Sequence, residues 1–259
     1  MTDAPEPDAR AEDLRARLAA VHGRIDRATA DAGRDDRPEL IVVTKFFPVE
    51  DVLRLAALGV RDVGENRDQE ASAKADAAVA AASNAAASNS AGDLRWHFIG
   101  QLQSNKARSV VRYARSVQSI DRSSLVRALG RAVAEHRPAE LGPMACWVQV
   151  DLGTDAGTGA GEGGGRGGAD PSQVLSLADA VAATDGLTLA GVMAVAPLEA
   201  DPDPAFARLA RIAADLRAAH PAATGISAGM SGDLESAIAH GATHLRVGSD
   251  VLGPRPAVG

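Results

Sequence analysis

The run "ELIVVTK", residues 39–45, sets four consecutive β-branched residues directly before a lysine. A short apolar run rich in Ile, Val and Thr reads as a strand buried on both faces. Seven more runs of this kind follow it. They are "VRDVGEN" (60–66), "LRWHFIG" (94–100), "RSVQSI" (115–120), "ACWVQVDL" (145–152), "LTLAGVMAV" (187–195), "GISAGM" (225–230) and "THLRVGS" (243–249). Helical patterns fill the gaps at 49–58, 67–82, 103–113, 122–136, 171–184, 204–219 and 232–240. Strands alternating with helices predict a parallel sheet. Eight such units within about 215 residues predict an α/β fold, a single (β/α)8 TIM barrel, with an open doubly wound sheet as the alternative.

An extra helix precedes the barrel. Leu14, Leu18, Val21 and Ile25 recur every three or four residues between about Ala9 and Ala32, the stripe of an amphipathic helix. The chain divides into a flexible N-terminal arm over residues 1–12 and a barrel over 13–259. Asp121 stands where an N-cap is expected, and Gly59 and Gly241 stand where helix C-termini call for a left-handed residue.

Composition narrows the function. Apolar residues make up 46% of the chain but aromatics only 3%, so the core is built from Ala, Val and Leu. The net charge is -7, from 27 bases and 34 acids, without a long basic stripe, which argues against nucleic acid. The single cysteine, Cys146, excludes an intrachain disulfide and a CxxC zinc site, and reads as a small core residue. His240 and His244 are separated by Gly241 and make a poor metal pair. The start has neither a basic n-region nor an apolar h-region, and no uncharged run approaches the roughly 18 residues of a membrane helix. The expectation is a cytoplasmic protein that does not use a membrane.

Two segments are low in complexity. Residues 71–91 hold 12 alanines in 21 positions, and residues 153–168 hold nine glycines in 16. The first reads as a helix running into a linker. The second follows the fifth strand and is expected on the C-terminal face, as a flexible insertion or a lid. Its formal GxGxxG at Gly159, Gly161 and Gly164 is an accident of composition, because no helix opens directly from it.

Lys45 closes the first strand, at the mouth where barrel active sites lie. A lysine in an apolar setting is disfavoured as the ammonium, and the neutral amine is a nucleophile toward aldehydes. A strand-end lysine that snorkels to solvent is the competing reading. At the far end of the chain, "SAGMSGD" (227–233) and "RVGSD" (246–250) follow strands seven and eight. Gly229 permits close backbone approach, and Met230, Ser231 and Gly232 offer N–H groups to an anion. Gly248 and Ser249 repeat the pattern, at the loops that typically hold phosphate on such barrels. A Schiff-base lysine with a phosphate cradle fits pyridoxal 5′-phosphate (PLP), which carries an aldehyde and a phosphate on one ring.

The stretches "VVTKFFP" (42–48), "GENRDQE" (64–70), "WHFIGQLQSNKAR" (96–108), "SIDR" (119–122), "GVMAVAP" (191–197), "SAGMSGDLESAIAHG" (227–241) and "LRVGSDVLGPR" (245–255) resemble the YggS/PROSC family of PLP-homeostasis proteins. The resemblance implies the barrel of fold-type III PLP enzymes such as alanine racemase. It implies that Lys45 forms the Schiff base and that Ser231 and Ser249, with N–H groups near Met230 and Gly248, hold the phosphate. Ser227 and Gly229 belong to the same cofactor-binding set. Arg246 is placed near the ring nitrogen or the phosphate, and Asn66 and His97 are placed facing the ring, with Met193 beside it. A hydrogen-bonded core histidine remains the alternative for His97, and core filling the alternative for Met193. The chain departs from the family pattern at Arg67, where an aromatic is common. It also lacks a Lys-x-Gly element after strand five, for which Arg166-Gly167 stands in, and its two low-complexity stretches are long. Lys106 and Arg108 read as a solvated patch, with a second anion contact or partner surface as the alternative.

Two function classes follow. One is a non-catalytic carrier that buffers PLP and delivers it to PLP-dependent apo-enzymes; the other is an amino-acid racemase. A racemase of this kind needs a tyrosine from an extra β domain, and the sequence ends about ten residues after strand eight. Its only tyrosine, Tyr113, is expected in the outer ring. Two-base proton transfer needs groups on both faces of the ring. The expectation is therefore a monomeric carrier.

Overall fold

The computed structural model describes residues 8–83, 91–153, 167–197 and 200–255. In chain order the elements are α1 (Ala9–Asp31), β1 (Glu39–Val43), α2 (Val49–Ala57), β2 (Asp62–Glu65), α3 (Asp68–Ser83), β3 (Arg95–Phe98), α4 (Ala107–Val110), β4 (Ala114–Ile120), α5 (Ser123–His136) and β5 (Met144–Gln149). They continue with α6 (Val174–Ala182), β6 (Leu187–Met193), α7 (Pro202–Ala219), β7 (Gly225–Ser227), α8 (Leu234–Ala239), β8 (His244–Val247) and α9 (Ser249–Leu252). The eight strands run parallel in sequential order and close as a barrel. Closure is the β1–β8 ladder, from Glu39 opposite His244 to Val42 opposite Val247. The (β/α)8 expectation holds, and the open sheet does not.

Val42, Val63, Val117, Val148 and Val192 belong to a continuous apolar layer between sheet and helices. Their neighbours along each strand turn toward the axis, as the period of two requires. A Cβ on Gly64 would meet Ile41, Val43 and Ile99 at 3.1–3.5 Å, so these side chains converge inside the barrel.

The eighth outer position is filled in an unusual way. The helix after β8, α9, has only four residues. α1 packs against α8, α9 and α2 and so completes the ring from the chain's N-terminal side. Leu14, Leu18, Val21 and Ile25 form its buried stripe, as their spacing predicts. Three arginines fasten it. Arg10 donates to Asp51 and to Leu252 O. Arg34 donates to Ile238 O and Ala242 O, at 2.9 Å each, and Arg24 reaches the loops after β7 and β8.

Several boundaries differ from expectation. Asp8 caps α1 by accepting from the N–H groups of Arg10 and Ala11, so residues 9–12 open the helix and do not belong to an arm. Asp121 caps nothing: the N-cap position of α5 is Arg122, whose guanidinium donates to Asp121. Gly59 and Gly241 do take left-handed φ values, 95° and 89°. Most strands stop one to three residues before their apolar runs end, because the chain leaves the ladder while still buried. Lys45 therefore stands two residues beyond β1, in a turn. Residues 154–166, most of the glycine tract with its GxGxxG and Arg166, lie outside the described residues, as do 1–7 of the arm and 84–90 of the alanine-rich linker.

Candidate functional site

β1 delivers Thr44, Lys45 and Phe46 to the C-terminal mouth. Lys45 is half-buried there. On one side lies β2, with Thr44 N donating to Gly64 O at 3.0 Å, which brings Asn66 level with Lys45. On the other side lies β8, where a Cβ on Gly248 would meet Val43 O at 3.2 Å. Among the described residues, Lys45 Nζ makes no hydrogen bond or ion pair; its nearest recorded partner is the Phe46 ring, with the centroid at 5.8 Å. Arg67 and Arg255 flank the same ring at 5.3 and 4.8 Å. Burial lowers the Lys45 pKa, and the positive charges of Arg255 and Arg67 lower it further, against opposing pulls from Glu65 and Glu70. The amine is thus biased toward its neutral, nucleophilic form.

The loops after β7 and β8 meet beside it. Gly229 has φ 92°, and a Cβ there would strike Ala237 and Leu245 at 2.7 and 2.9 Å, so only glycine makes this turn without strain. Ser249 Oγ donates to Ser231 Oγ at 3.0 Å. Among the described residues the N–H groups of Ser231, Gly232 and Ser249 donate to nothing. Two hydroxyls and three N–H groups without a protein partner thus lie on the loops after β7 and β8, a donor set suited to an anion. Met230 is not part of it in the expected way, because its N–H already donates to Asp233 Oδ1 at 2.5 Å. Arg24 of α1 steadies both loops, donating to Ser231 O, Glu235 and Asp250. Nothing in the sequence pattern of α1 marks that arginine.

Other expected residues lie deeper. Ser227 is fully buried at the end of β7. It accepts from Arg246 Nη1 at 2.6 Å and donates to Gln118 Oε1 at 2.8 Å. This hydroxyl is spent inside the barrel and is separate from the cradle. Arg246 Nη2 donates to Ala194 O at 2.7 Å, so its guanidinium lies beneath the ends of β6 and β7; burial pushes its pKa down to about 10. Met193 is 1% exposed and fills the barrel interior. His97 is the clearest departure. Its ring nitrogens meet Asp62 Oδ1 at 2.8 Å and Ser116 Oγ at 2.7 Å. Asp62 opens β2, so His97 is bonded toward the barrel floor and is a satisfied core histidine. Burial alone would raise the Asp62 pKa, but hydrogen bonds from His97 and Arg95 outweigh it and hold the carboxyl below its ordinary range.

Asn66 stays at the mouth. Its Oδ1 is buried without a partner among the described residues, as is Gln118 Nε2. Glu65 Oε2 and Ser119 Oγ are buried without a partner as well, and buried orphans of this kind are rare and call for an explanation. A cavity of about 230 Å³ opens beside Asn66, lined also by Arg67, Gln101 and Lys106. A larger one, about 480 Å³, lies away from the mouth between α1 and the β1–α2 turn. Its charges are already paired, Arg10 with Asp51 and Arg17 with Asp13. Cys146 is buried, with its thiol pushed up to about 12 by burial, and is a core residue. Among the described residues no group of three metal-ligating side chains occurs.

Comparison with known proteins gives the same direction. The family model "Alanine racemase, N-terminal domain" matches residues 17–256. A relative from Mycobacterium bovis, named pyridoxal phosphate homeostasis protein, is 45% identical over 257 residues, covering 96% of this chain and 95% of that one. The chain belongs to the pyridoxal phosphate homeostasis family. A structural neighbour is PipY of Synechococcus elongatus, solved with PLP bound. It has 29% identity and a TM-score of 0.74, over 93% of this chain and all of that one. The alanine racemase of Corynebacterium glutamicum shares the fold at 15% identity and TM-score 0.61, over 97% of this chain but 62% of the enzyme. The family resemblance and the barrel expectation are both upheld.

Proposed function

We propose that this chain is a carrier for pyridoxal 5′-phosphate, holding the cofactor reversibly on Lys45 and passing it on. The observation that carries this reading is the placement of Lys45. Its unpaired, pKa-lowered amine stands between the orphaned Asn66 Oδ1 and the Ser231–Ser249 cradle. The donor set fits the cofactor: an amine for its aldehyde, N–H and hydroxyl donors for its phosphate. When bound, the cofactor supplies an electrophilic carbon that a neutral primary amine captures. Ser231, Gly232 and Ser249 would take the phosphate. Arg246 would serve the ring edge, because it bonds Ser227 and Ala194 and neither cradle serine. PLP bound in the neighbour from Synechococcus elongatus and the name borne by the Mycobacterium bovis relative support the reading.

A carrier is favoured over a racemase by what surrounds Lys45. Racemisation needs a second acid/base group across the ring. Tyr113, the only tyrosine, donates its hydroxyl to Asp68 at 3.4 Å in the outer layer, and burial together with Asp68 raises its pKa strongly. His97 is committed to the floor. No helix among the described residues is long and apolar enough to cross a membrane. The reading carries with it a cytoplasmic monomer that serves PLP-dependent apo-enzymes.

The test is the visible absorbance of the purified protein with added PLP, beside Lys45→Ala. The expected result is a band that borohydride fixes onto the Lys45 peptide in the wild type and that the variant lacks. Only free PLP in both samples would end the PLP reading. Racemase assays on the loaded protein then separate the classes, since turnover at ordinary enzymatic rates would replace carrier by enzyme.

A further inference from the structure

Behind the mouth, on the side of β1 and β2 that faces α3, lies a polar cluster that the site described so far does not use. Lys74 of α3 is 6% exposed, a rare condition for lysine. Its Nζ donates to Thr44 O at 2.9 Å, Glu65 Oε1 at 2.7 Å and Glu70 Oε1 at 2.6 Å. Three partners satisfy all three protons of an ammonium. Each acceptor does a second job. Glu65 Oε1 also accepts from Thr44 Oγ1 at 2.7 Å, and Glu70 Oε1 also accepts the backbone N–H of Phe46 at 2.6 Å.

The cluster therefore grips the chain at residue 44 and at residue 46 and leaves residue 45 to project between them. Phe46 has φ 72°, the one non-glycine residue with positive φ among those described. A bulky residue keeps that conformation only where its surroundings over-determine it. Here the Glu70 bond to its N–H and the Lys74 bond to the Thr44 carbonyl supply the constraint. A buried ion pair is by itself weak support for stability. A buried ion cluster whose bonds end on both main-chain neighbours of a functional lysine has a more specific use.

We infer that Lys74, Glu65 and Glu70 are positioning residues that fix the strained Thr44–Phe46 turn and so aim the Lys45 amine into the mouth. The inference rests on the reading of Lys45 as the cofactor lysine, but its first test needs no cofactor. Glu70→Gln keeps an oxygen for the Phe46 N–H, and Glu70→Ala does not. Glu70 is partly exposed, so both variants are expected to fold, whereas Lys74→Met risks the fold and is a supporting variant only. In the apo protein, hydrogen exchange at the Phe46 amide and the rate of Lys45 acylation are read by peptide mass. Glu70→Ala should speed Phe46 exchange about tenfold, the factor for one lost hydrogen bond, and change Lys45 acylation, with Glu70→Gln close to wild type. PLP affinity should fall in the same order, again by about tenfold in the alanine variant.

Phe46 exchange and Lys45 acylation that do not respond to Glu70→Ala would overturn the inference. So would a glutamine variant as impaired as the alanine one. If the apo readouts respond as expected but the wild type captures no PLP, the positioning device stands and the ligand reading falls.

Discussion

Removing the positive charge of Arg255 should make Lys45 harder to deprotonate, and the size of the effect follows from the rim geometry. Lys45 Nζ lies 5.8 Å from the Phe46 centroid and Arg255 Cζ lies 4.8 Å from it, so the two charges are at most about 11 Å apart. At that distance a unit charge contributes about 0.4 kcal/mol in bulk water and about 1.5 kcal/mol at an effective dielectric of about 20. These energies correspond to about 0.3 to 1 pH unit. Arg255 and Arg67 are both exposed, so solvent screening favours the lower end of that range. A neighbouring cation disfavours the ammonium, so losing it raises the lysine pKa and moves the titration to higher pH. The assay is acylation of Lys45 in the apo protein across pH, resolved by peptide mass, for wild type, Arg67→Ala, Arg255→Ala and the double variant. Each single variant should shift the midpoint upward by about 0.3 pH unit or more at low salt. The difference should shrink in 0.5 M salt, where the screening length falls to about half its 0.1 M value of ~10 Å. PLP capture near neutral pH should weaken in step. Midpoints that stay fixed at low salt, or move downward, would refute the electrostatic account of the Lys45 amine.

Other expectations concern the cradle and the core. Ser231→Ala and Ser249→Ala should each weaken PLP binding about tenfold to a hundredfold, as loss of a charge-assisted hydrogen bond does, with the melting temperature nearly unchanged; unaltered dissociation constants would remove the hydroxyls from the cradle. His97→Leu should cost about 1–3 kcal/mol by stranding Asp62 and Ser116, while PLP capture stays intact; lost capture with an unchanged melt would return His97 to the site. In the same variant the acid-side loss of stability that Asp62 brings should shrink. Asp62 is held below its ordinary range, so its contribution is present at neutral pH and lost as pH falls through its folded value, and His97 supplies part of that hold. Gly225→Ala would set a Cβ 2.3 Å from the Trp147 ring; overpacking of this kind costs about 1–3 kcal/mol, which a thermal melt resolves at about 2–4 °C per kcal/mol.

The barrel was legible because its signal is repeated. Eight β-branched runs with helices between them leave few topologies, and an error at any one boundary does not change the count. The placement of Lys45, Asn66, Gly229, Ser231 and Ser249 was legible for a related reason: each follows a strand, and strand ends on this fold open onto the mouth. For His97 and Ser227 that same rule says less. Their side chains turn inward but downward or sideways, toward Asp62 and toward Arg246 and Gln118, and strand position does not encode that direction. The Met230 N–H is not free as expected because Asp233, three residues on, claims it, a local turn bond that competes with any ligand. Lys74, Glu65 and Glu70 escaped notice because charged residues on and before a helix ordinarily read as a solvated face. Only the packing of α3 against β2 reveals that Lys74 and Glu65 are buried beside Thr44, with Glu70 at their edge.

The polar groups of the barrel interior divide by depth, and the division bears on stability as well as on binding. At the floor, Asp62, His97, Ser116 and Arg95 satisfy one another. At the mouth, Asn66 Oδ1, Gln118 Nε2 and the N–H groups of Ser231, Gly232 and Ser249 are left without protein partners among the described residues. Each buried group left unmade, as Asn66 Oδ1 and Gln118 Nε2 are, costs about 1–3 kcal/mol. A ligand that binds only the folded chain adds RT ln(1 + [L]/Kd), about 2.7 kcal/mol at a hundredfold excess over Kd. PLP should therefore raise the melting temperature of the wild type, and Lys45→Ala should keep a smaller part of that gain through the cradle alone. Inorganic phosphate should reproduce the cradle's part in both proteins. If PLP stabilised the two proteins equally, the lysine would contribute nothing beyond the phosphate site, and the link between the unpaired amine and the carrier role would be broken.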